Sequence, residues 1–299
     1  MSQSYDIKLR IAYRYDHPAG SHRTLLRILP RSIEGQQQLL YGQVTTDPPP
    51  DFRLDDVDFF GNPTTEVTHE GRLSEIDFLF EGRVLRRTPR DGLDLSCALS
   101  DLPRAVAQIQ SIRAPSPHHF LGPSPRLRHE SEIAAFARCC TRPGMSALEA
   151  VEAVSHALND LFDFDSSATE VTTTPIEAFR ARRGVCQDIS HVMISALREI
   201  GVPAGYVSGF LRTLPPEGQP RLEGADAMHA WVRAWCGPDA GWVEFDPTNA
   251  IRVGLDHVTV GFGRDYSDVA PSKGSLRSEG GHETRHMVDV VPVEAKLTA

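Results

Sequence analysis

Cys186 has the sequence surroundings that a nucleophilic thiol needs. Apolar residues recur at steps of three and four between positions 189 and 200, which predicts an amphipathic helix in the middle of its domain, with Cys186 in the first turn. Gly201 and Pro203 predict where that helix ends. The free N–H groups and the dipole at a helix start stabilise a thiolate. Position alone leaves a packing role open, because free cysteine is commonly buried.

A base for this thiol, and an acceptor to orient the base, follow later in the chain. A thiolate nucleophile needs both, and "DAMHAWVRAWCGPDAGWVEFDPTNA" supplies His229 and Asp246 in what reads as a β-hairpin. A loop centred on Pro238–Asp239 sets His229 opposite Thr248 and diagonal to Asp246, so that both side chains share one face. Opposite faces would separate the pair. The sequence therefore predicts Cys186, His229 and Asp246 as catalytic residues.

A second motif competes with this interpretation. "HETRH", from His282 to His286, fits the H-E-x-x-H pattern of zinc proteases, in which both histidines share one helix face. Here "SEGG" precedes the motif, and "HMVDVVPVEA", which reads as a strand and contains Pro292, overlaps its end. Few residues remain to supply a third ligand. We therefore expect a chance match in a strand or loop, and we predict no metal and no cofactor.

The periodicity of the chain changes once. Residues up to 88 show the alternation of antiparallel strands, separated by clusters of Gly, Pro, Asn and Asp, and predict a sandwich-like β domain over 1–88. Recurring prolines predict a partly extended connector over 89–130. Helical patterns start at about 131 and give way to strands after Gly201. We expect an α+β fold whose second domain, 131–299, packs helices on an antiparallel sheet.

Composition excludes several partners. The net charge is −9 and no basic stripe stands out, so nucleic acid is an unexpected partner. The start of the sequence has no apolar stretch of the secretory type, and no run approaches the ~18 apolar residues of a membrane span. Five cysteines, an odd number, argue against a disulfide framework. We expect a cytoplasmic protein that does not bind a membrane.

Three blocks carry a resemblance to a known family. "RRGVCQDISH", "DAMHAWVRAW" and "GWVEFDPTNA" resemble the motifs of the bacterial transglutaminase-like superfamily, and the β region before them resembles the N-terminal domain of its bacterial members. The resemblance implies a papain-like core of the kind found in cysteine proteases and transglutaminases. It implies Cys186 as the nucleophile, His229 as the general base and then acid, and Asp246 as the orienting carboxylate.

Two positions depart from the family pattern. Members often carry a tyrosine where this chain has Phe164, and well-studied transglutaminases use a tryptophan upstream of the nucleophile as an oxyanion donor. All three tryptophans of this chain lie downstream of Cys186. The backbone N–H of Cys186 is then the expected first oxyanion donor. The second stays open, with Asn159 and Gln187 as candidates.

The expected reaction is acyl transfer from an amide through a thioester. Water as the acceptor makes the protein a cysteine peptidase or amidase. An amine as the acceptor makes it a transglutaminase, a protein-glutamine gamma-glutamyltransferase. The same three residues serve both, and hydrolysis is favoured because excluding water takes special shielding. A catalytically silent peptide-binding module on the same fold is the other alternative, and substitution of one of the three residues would have favoured it.

Overall fold

The computed structural model describes residues 1–88, 93–213, Gly224 and 226–294. Its first part is the expected antiparallel β domain. The strands are β1 (Ser2–Leu26), β2 (Gln37–Asp47), β3 (Phe52–Val57), β4 (Pro63–His69) and β5 (Leu73–Arg87). Tyr5, Ile7, Leu9 and Ile11 of β1 are each at most 3% exposed, so the alternation in the sequence marks one buried face.

Strand β1 is long enough to serve two ladders. Its first half pairs with β5 on one side, and its last residues pair with β4. The ladder around the first half continues through β2, and the ladder around the second half ends at β3. In the sequence, "YDIKLRIAYRY" and "RTLLRILPR" predict two separate strands. The first pattern lies wholly within β1, and the second contributes residues 23–26 to the same strand.

The second part of the chain packs helices on an antiparallel sheet, which confirms the expected α+β class. The helices are α1 (Leu102–Ala107), α2 (Ser131–Cys139), α3 (Ala147–Leu161), α4 (Pro175–Ala181), α5 (Cys186–Glu199) and α6 (Tyr266–Val269). The further strands are β6 (Asp163–Phe164), β7 (Arg183–Gly184), β8 (Ala204–Leu211), β9 (Ala227–Trp235), β10 (Trp242–Asp246), β11 (Ile251–Arg252), β12 (His257–Gly263), β13 (Ser272–Arg277) and β14 (His282–Pro292).

Helix α5 lies at the centre of this second part, as its apolar pattern predicts. It contacts α2, α3 and α4 on one side and strands β8 and β9 on the other. Every residue from Asp188 to Leu197 is buried. The helix ends where expected, since Gly201 takes the left-handed conformation with φ of 83°. The sheet beneath it has the strand order β11-β10-β9-β8-β12.

The last two strands differ from the expected domain boundary. Strands β13 and β14, which the interval 131–299 assigned to the second domain, both pair with β1. Tyr5 to Tyr15 of β1 lie opposite Pro292 to His282 of β14. Residues 272–292 therefore complete the N-terminal sheet. Pairing between segments so distant in sequence leaves no local signal, which is why the pattern alone misplaced them.

The interval expected as a connector also holds part of the core. Within its described residues, 93–130, helix α1 buries Leu102 and Val106 in the same apolar cluster as α5. The "HETRH" segment is a strand, as expected, because it opens β14. In a strand, residues four apart lie about 13 Å from each other, so the helical zinc-site geometry is absent there.

Two side-chain amides of the N-terminal domain cover the outer edge of β12. Gln37 donates to the carbonyl of Thr259 at 2.7 Å and accepts from its N–H at 2.9 Å. Asn62 does the same for Phe262, at 2.8 Å in both directions. Each amide replaces the bonds that a further strand would make, so the edge of the second sheet is satisfied by the first domain.

None of the helices in the described part of the chain combines the length and the apolar character needed to cross a membrane.

Candidate active site

Cys186 is the first residue of α5, which confirms the prediction that it lies in the first turn. The carboxylate of Asp188 folds back over this turn, where its Oδ2 accepts from the N–H of Val185 at 2.9 Å and from the hydroxyl of Thr169 at 2.7 Å. A Cβ on Gly184 would lie 2.7 Å from that oxygen. Glycine there makes room for the cap, and the cap fixes the path of the chain into Cys186.

This role of Gly184 differs from the expected one. In "TTTPIEAFRARRG", Pro175 predicts a first helical position and Gly184 predicts the residue just past the helix end. Helix α4 begins at Pro175, as predicted, but it ends at Ala181, and Arg182 takes the left-handed conformation with φ of 53°. Gly184 lies in β7, beside exposed Phe164 of β6. Both the close approach of the Asp188 side chain and the positive φ of 159° at Gly184 favour glycine there.

Strands β9 and β10 form the expected hairpin in the expected register. Trp242 lies opposite Trp235, and the pairing runs on to Phe245 opposite Val232. Continued by one position, it sets Asp246 opposite Trp231, so His229 and Asp246 are diagonal neighbours on one face. The register that the loop position predicted is confirmed.

His229 and Asp246 meet in the interior of the protein. The Nε2 of His229 lies 2.8 Å from Oδ2 of Asp246, and the two residues are 8% and 0% exposed. The other carboxylate oxygen accepts from the backbone N–H groups of Thr248 and Asn249, at 3.0 and 3.3 Å. The Asn249 side chain donates to Oδ2 at 2.6 Å. Asp246 is therefore held in place by the turn that follows it.

Cys186 completes the group. It lies close enough to the His229 ring for its thiol to help raise the pKa of that imidazole. Because Nε2 of that ring faces Asp246, Nδ1 is the nitrogen left for the sulfur. The structure thus brings together all three residues that the sequence singled out, with a thiol on a helix start, an imidazole on a strand and a carboxylate at the end of the next strand.

The charges of this group reinforce one another. Burial would lower the pKa of His229, but hydrogen bonds with Asp246 and Cys186, and the negative charges of those two groups, raise it to about 10. Burial would raise the pKa of Asp246, but hydrogen bonds from His229, His257 and Asn249 hold it far below its usual range. Asp246 therefore remains ionised at neutral pH, and His229 keeps its proton.

The two candidates for the second oxyanion donor are engaged elsewhere. The amide of Asn159 donates to the carbonyl of Thr248 at 2.8 Å, so this side chain supports the turn after Asp246. The amide of Gln187 points to the carbonyl of Val171 at 3.3 Å. The backbone N–H of Cys186 has no intrahelical acceptor at the first helical position and is free to donate to an oxyanion.

His257 is a site residue that sequence reasoning missed. Its Nε2 lies 3.0 Å from Oδ2 of Asp246, the same oxygen that accepts from His229. Within the described residues, His229, Asp246 and His257 form the one group of His, Cys, Asp or Glu side chains close enough to hold a metal ion. Oδ2 already accepts two imidazole N–H groups and the amide of Asn249, so the arrangement suits hydrogen bonding rather than a cation. A single histidine at the start of a strand carries no spacing signal.

Limiting iodoacetamide at neutral pH is expected to alkylate Cys186 before the other cysteines, because Cys186 combines a helix start with a neighbouring imidazole. Burial raises the pKa of the thiols of Cys97 and Cys140, and raises that of Cys236 to about 12. Exposed Cys139 is the internal control for access. Mass spectrometry of the labelled peptides gives the order of reaction. Faster labelling of Cys139 would contradict the assignment of the nucleophile.

Two segments of the chain match known protein families. Residues 134–247 match the transglutaminase-like superfamily, and residues 5–85 match the bacterial transglutaminase-like N-terminal region. An uncharacterized protein of Mycobacterium bovis is 42% identical over 137 residues, which are 44% of each chain. One of Mycobacterium leprae is 36% identical over 143 residues, 48% of this chain and 50% of that one. The chain thus matches about half the length of these relatives.

A solved structure from Cytophaga hutchinsonii, described as "a Putative Cysteine Protease", has the same fold. It covers 100% of this chain and 93% of its own length, with a TM-score of 0.77 and 18% sequence identity. Identity at that level shows the fold alone. The two family matches identify residues 134–247 as a core of the transglutaminase-like superfamily and residues 5–85 as the bacterial transglutaminase-like N-terminal region.

Proposed function

We propose that this protein is a cysteine-dependent enzyme that cleaves amide bonds of a peptide or protein by acyl transfer. The observation that carries the proposal is the joint placement of Cys186, His229 and Asp246. The thiol stands at a helix start and interacts with an imidazole, which is bonded at 2.8 Å to a buried carboxylate. A nucleophile, a proton carrier and an orienting acceptor are the three parts that thiol-based acyl transfer needs.

The first half of the reaction forms a thioester. The sulfur of Cys186 attacks the amide carbon, and the carbonyl oxygen becomes an oxyanion that accepts from the Cys186 backbone N–H. His229 gives its Nδ1 proton to the amide nitrogen, the C–N bond breaks and the amine leaves. Asp246 holds the ring through Nε2, so that Nδ1 stays directed at the reacting atoms.

The second half returns the enzyme to its starting state. Neutral His229 takes a proton from water at Nδ1, and the oxygen attacks the thioester carbon. The C–S bond then breaks, a carboxylic acid leaves, and the thiolate of Cys186 again faces the imidazolium. An amine in place of water would give a new amide by the same steps. We favour water as the acceptor. An amine could compete with water at ~55 M for the thioester only if the site excluded water, and the steps described above include no group that does so.

We further propose that the protein works in the cytoplasm and does not bind nucleic acid. A net charge of −9 opposes binding to nucleic acid. All five cysteines are free, which suits the reducing cytoplasm. Oxygen Oδ2 of Asp246 already accepts hydrogen bonds from His229, His257 and Asn249. None of the proposed steps requires a metal or other cofactor.

Incubation with unfolded casein and a fluorescent primary amine tests the function. We expect new peptide N-termini from the wild type and none from Cys186→Ala, as measured by mass spectrometry. The wild-type activity should survive a chelator and disappear after alkylation. Amine incorporation that depends on Cys186 would instead show a transglutaminase. Equal product from the wild type and from Cys186→Ala would refute cysteine-dependent catalysis, and a wild type without turnover that still binds peptide would indicate the silent module.

A further inference from the structure

We propose that His257 is a positioning residue of this active site, which acts on His229 through the carboxylate they share. The inference rests on the proposed function and deepens it. The observation behind it is that two imidazoles donate to one oxygen, since Oδ2 of Asp246 lies 2.8 Å from Nε2 of His229 and 3.0 Å from Nε2 of His257.

His257 can approach Oδ2 of Asp246 because the strand between them carries a glycine, Gly209. Strand β8 separates β12 from β9, and its Gly209 lies opposite both His229 and Thr259. A Cβ on Gly209 would lie 2.3 Å from the ring of Trp231. Without that Cβ, the indole packs over the strand and meets the His257 ring edge-on, with centroids 5.2 Å apart. The position of the His257 ring is therefore limited on one side by Trp231, which follows His229 by two positions in β9.

The hydrogen bonds of His257 are directed entirely at Asp246. The residue is 2% exposed, and its Nδ1 has no hydrogen-bond partner among the described residues. Nε2 must then carry the hydrogen that Oδ2 accepts. The turn residues Thr248 and Asn249 hold the carboxylate from its own strand, whereas His257 holds it from across the sheet. Contacts from both sides restrict rotation of the carboxylate, and with it the direction in which Nδ1 of His229 points.

The N-terminal domain fixes the strand that carries His257. The amides of Gln37 and Asn62 bond both backbone groups of Thr259 and Phe262, so the outer edge of β12 is held at two positions. This gives the β domain a part in the reaction, since movement of β12 would move His257 and loosen the carboxylate.

The test compares His257→Leu, which removes the donor, with His257→Gln, which keeps an N–H. We expect His257→Leu to lower kcat by about 10-fold to 100-fold with little change in KM, as for loss of one hydrogen bond to a charged group. His257→Gln should restore most of kcat. His69→Leu is the matched control. His69 is 3% exposed, and its Nε2 bonds the carbonyl of Pro48 at 3.0 Å in the N-terminal domain.

The pH profile separates positioning from simple packing. His229 and His257 are the titratable groups that face Asp246, and both keep it ionised. The pKa of Asp246 is lower in the folded chain than in the unfolded chain. The stability that the ionised carboxylate gives to the fold is therefore present above the unfolded pKa of about 3.9, and it is lost as the pH falls through the folded pKa. Removing the His257 donor raises that folded pKa, so the acid limb of kcat should move to higher pH in His257→Leu and not in His69→Leu.

The alkylation rate of Cys186 gives a readout without substrate. We expect slower alkylation in His257→Leu, because a misdirected imidazolium stabilises the thiolate less. Equal rates and unchanged acid limbs in wild type and His257→Leu would overturn the inference, as would equal losses of kcat in His257→Leu and His69→Leu. If the leucine variant does not fold, His257→Asn replaces it, since its shorter side chain does not reach Oδ2. A wild type without turnover would count against the proposed function alone.

Discussion

Replacing Cys186 or His229 by alanine is expected to lower kcat by about 10⁶-fold, the order seen when a nucleophile or its base is removed from a serine protease. Without the sulfur no thioester forms, and without the imidazole neither the leaving amine nor the attacking water exchanges its proton. The double variant should be little worse than either single one, because the two residues act as a unit. Peptide hydrolysis under saturating substrate measures all three.

The control for these variants is Cys140→Ala. It removes a half-buried thiol that, like Cys186, packs against the apolar cluster around α5. It should keep the wild-type kcat and lose at most some stability. Multiplicative losses in the double variant would show that Cys186 and His229 do not work on the same step. Activity that remains in Cys186→Ala and depends on His229 would point to a different nucleophile.

Asp246→Asn is expected to keep the fold and to lower kcat by ~10²–10⁴-fold, as in other triads. The amide has the shape of the carboxylate but not its charge. Its NH₂ group, turned toward His229 and His257, would face two N–H donors. Turned the other way, it would face the backbone N–H groups of Thr248 and Asn249. Either orientation leaves a buried donor without an acceptor and permits the wrong tautomer of His229. Asp163→Asn, at an exposed carboxylate, is the matched control.

The pH profile of this variant should also change. The wild type is expected to lose activity in alkali as His229 gives up its proton near pH 10. Asp246 helps to raise that pKa, so the alkaline limb of kcat/KM should move to lower pH in Asp246→Asn. The proton on His229 also stabilises the fold, fully below about pH 6.5 and decreasingly as the pH rises to about 10. Urea unfolding across that pH interval should show that the free energy of unfolding decreases less in the variant than in the wild type. An unchanged limb would contradict the pairing.

Local sequence patterns predicted the parts of this site that are local in the chain. The spacing of apolar residues predicted the helix that begins at Cys186. The position of the loop centred on Pro238–Asp239 predicted the register of the hairpin. Both are determined by residues within about twenty positions of each other. The parity of the hairpin then decided that His229 and Asp246 share a face.

The parts that were missed depend on contacts between distant segments. His257 reaches Asp246 because Gly209 and Trp231 shape the sheet between them, and neither residue marks that role in the sequence. The same holds for Asn159, whose amide supports the turn after Asp246 instead of an oxyanion. Strand β14 alternates in burial near its end like many strands, and only the fold shows that its partner is β1. Periodicity identifies an element but not its neighbour.

The pairing of β1 with β13 and β14 has a consequence for how a cell makes this protein. The ribosome synthesises β1 well before those two partners, which follow only after the whole of the second sheet. At about 5–20 residues per second, one side of β1 waits unpaired for roughly ten seconds to a minute. A chain that stops before residue 272 carries a long open strand edge, prone to pair with other chains. Unfinished copies are therefore marked for aggregation or disposal, although they already contain Cys186, His229 and Asp246.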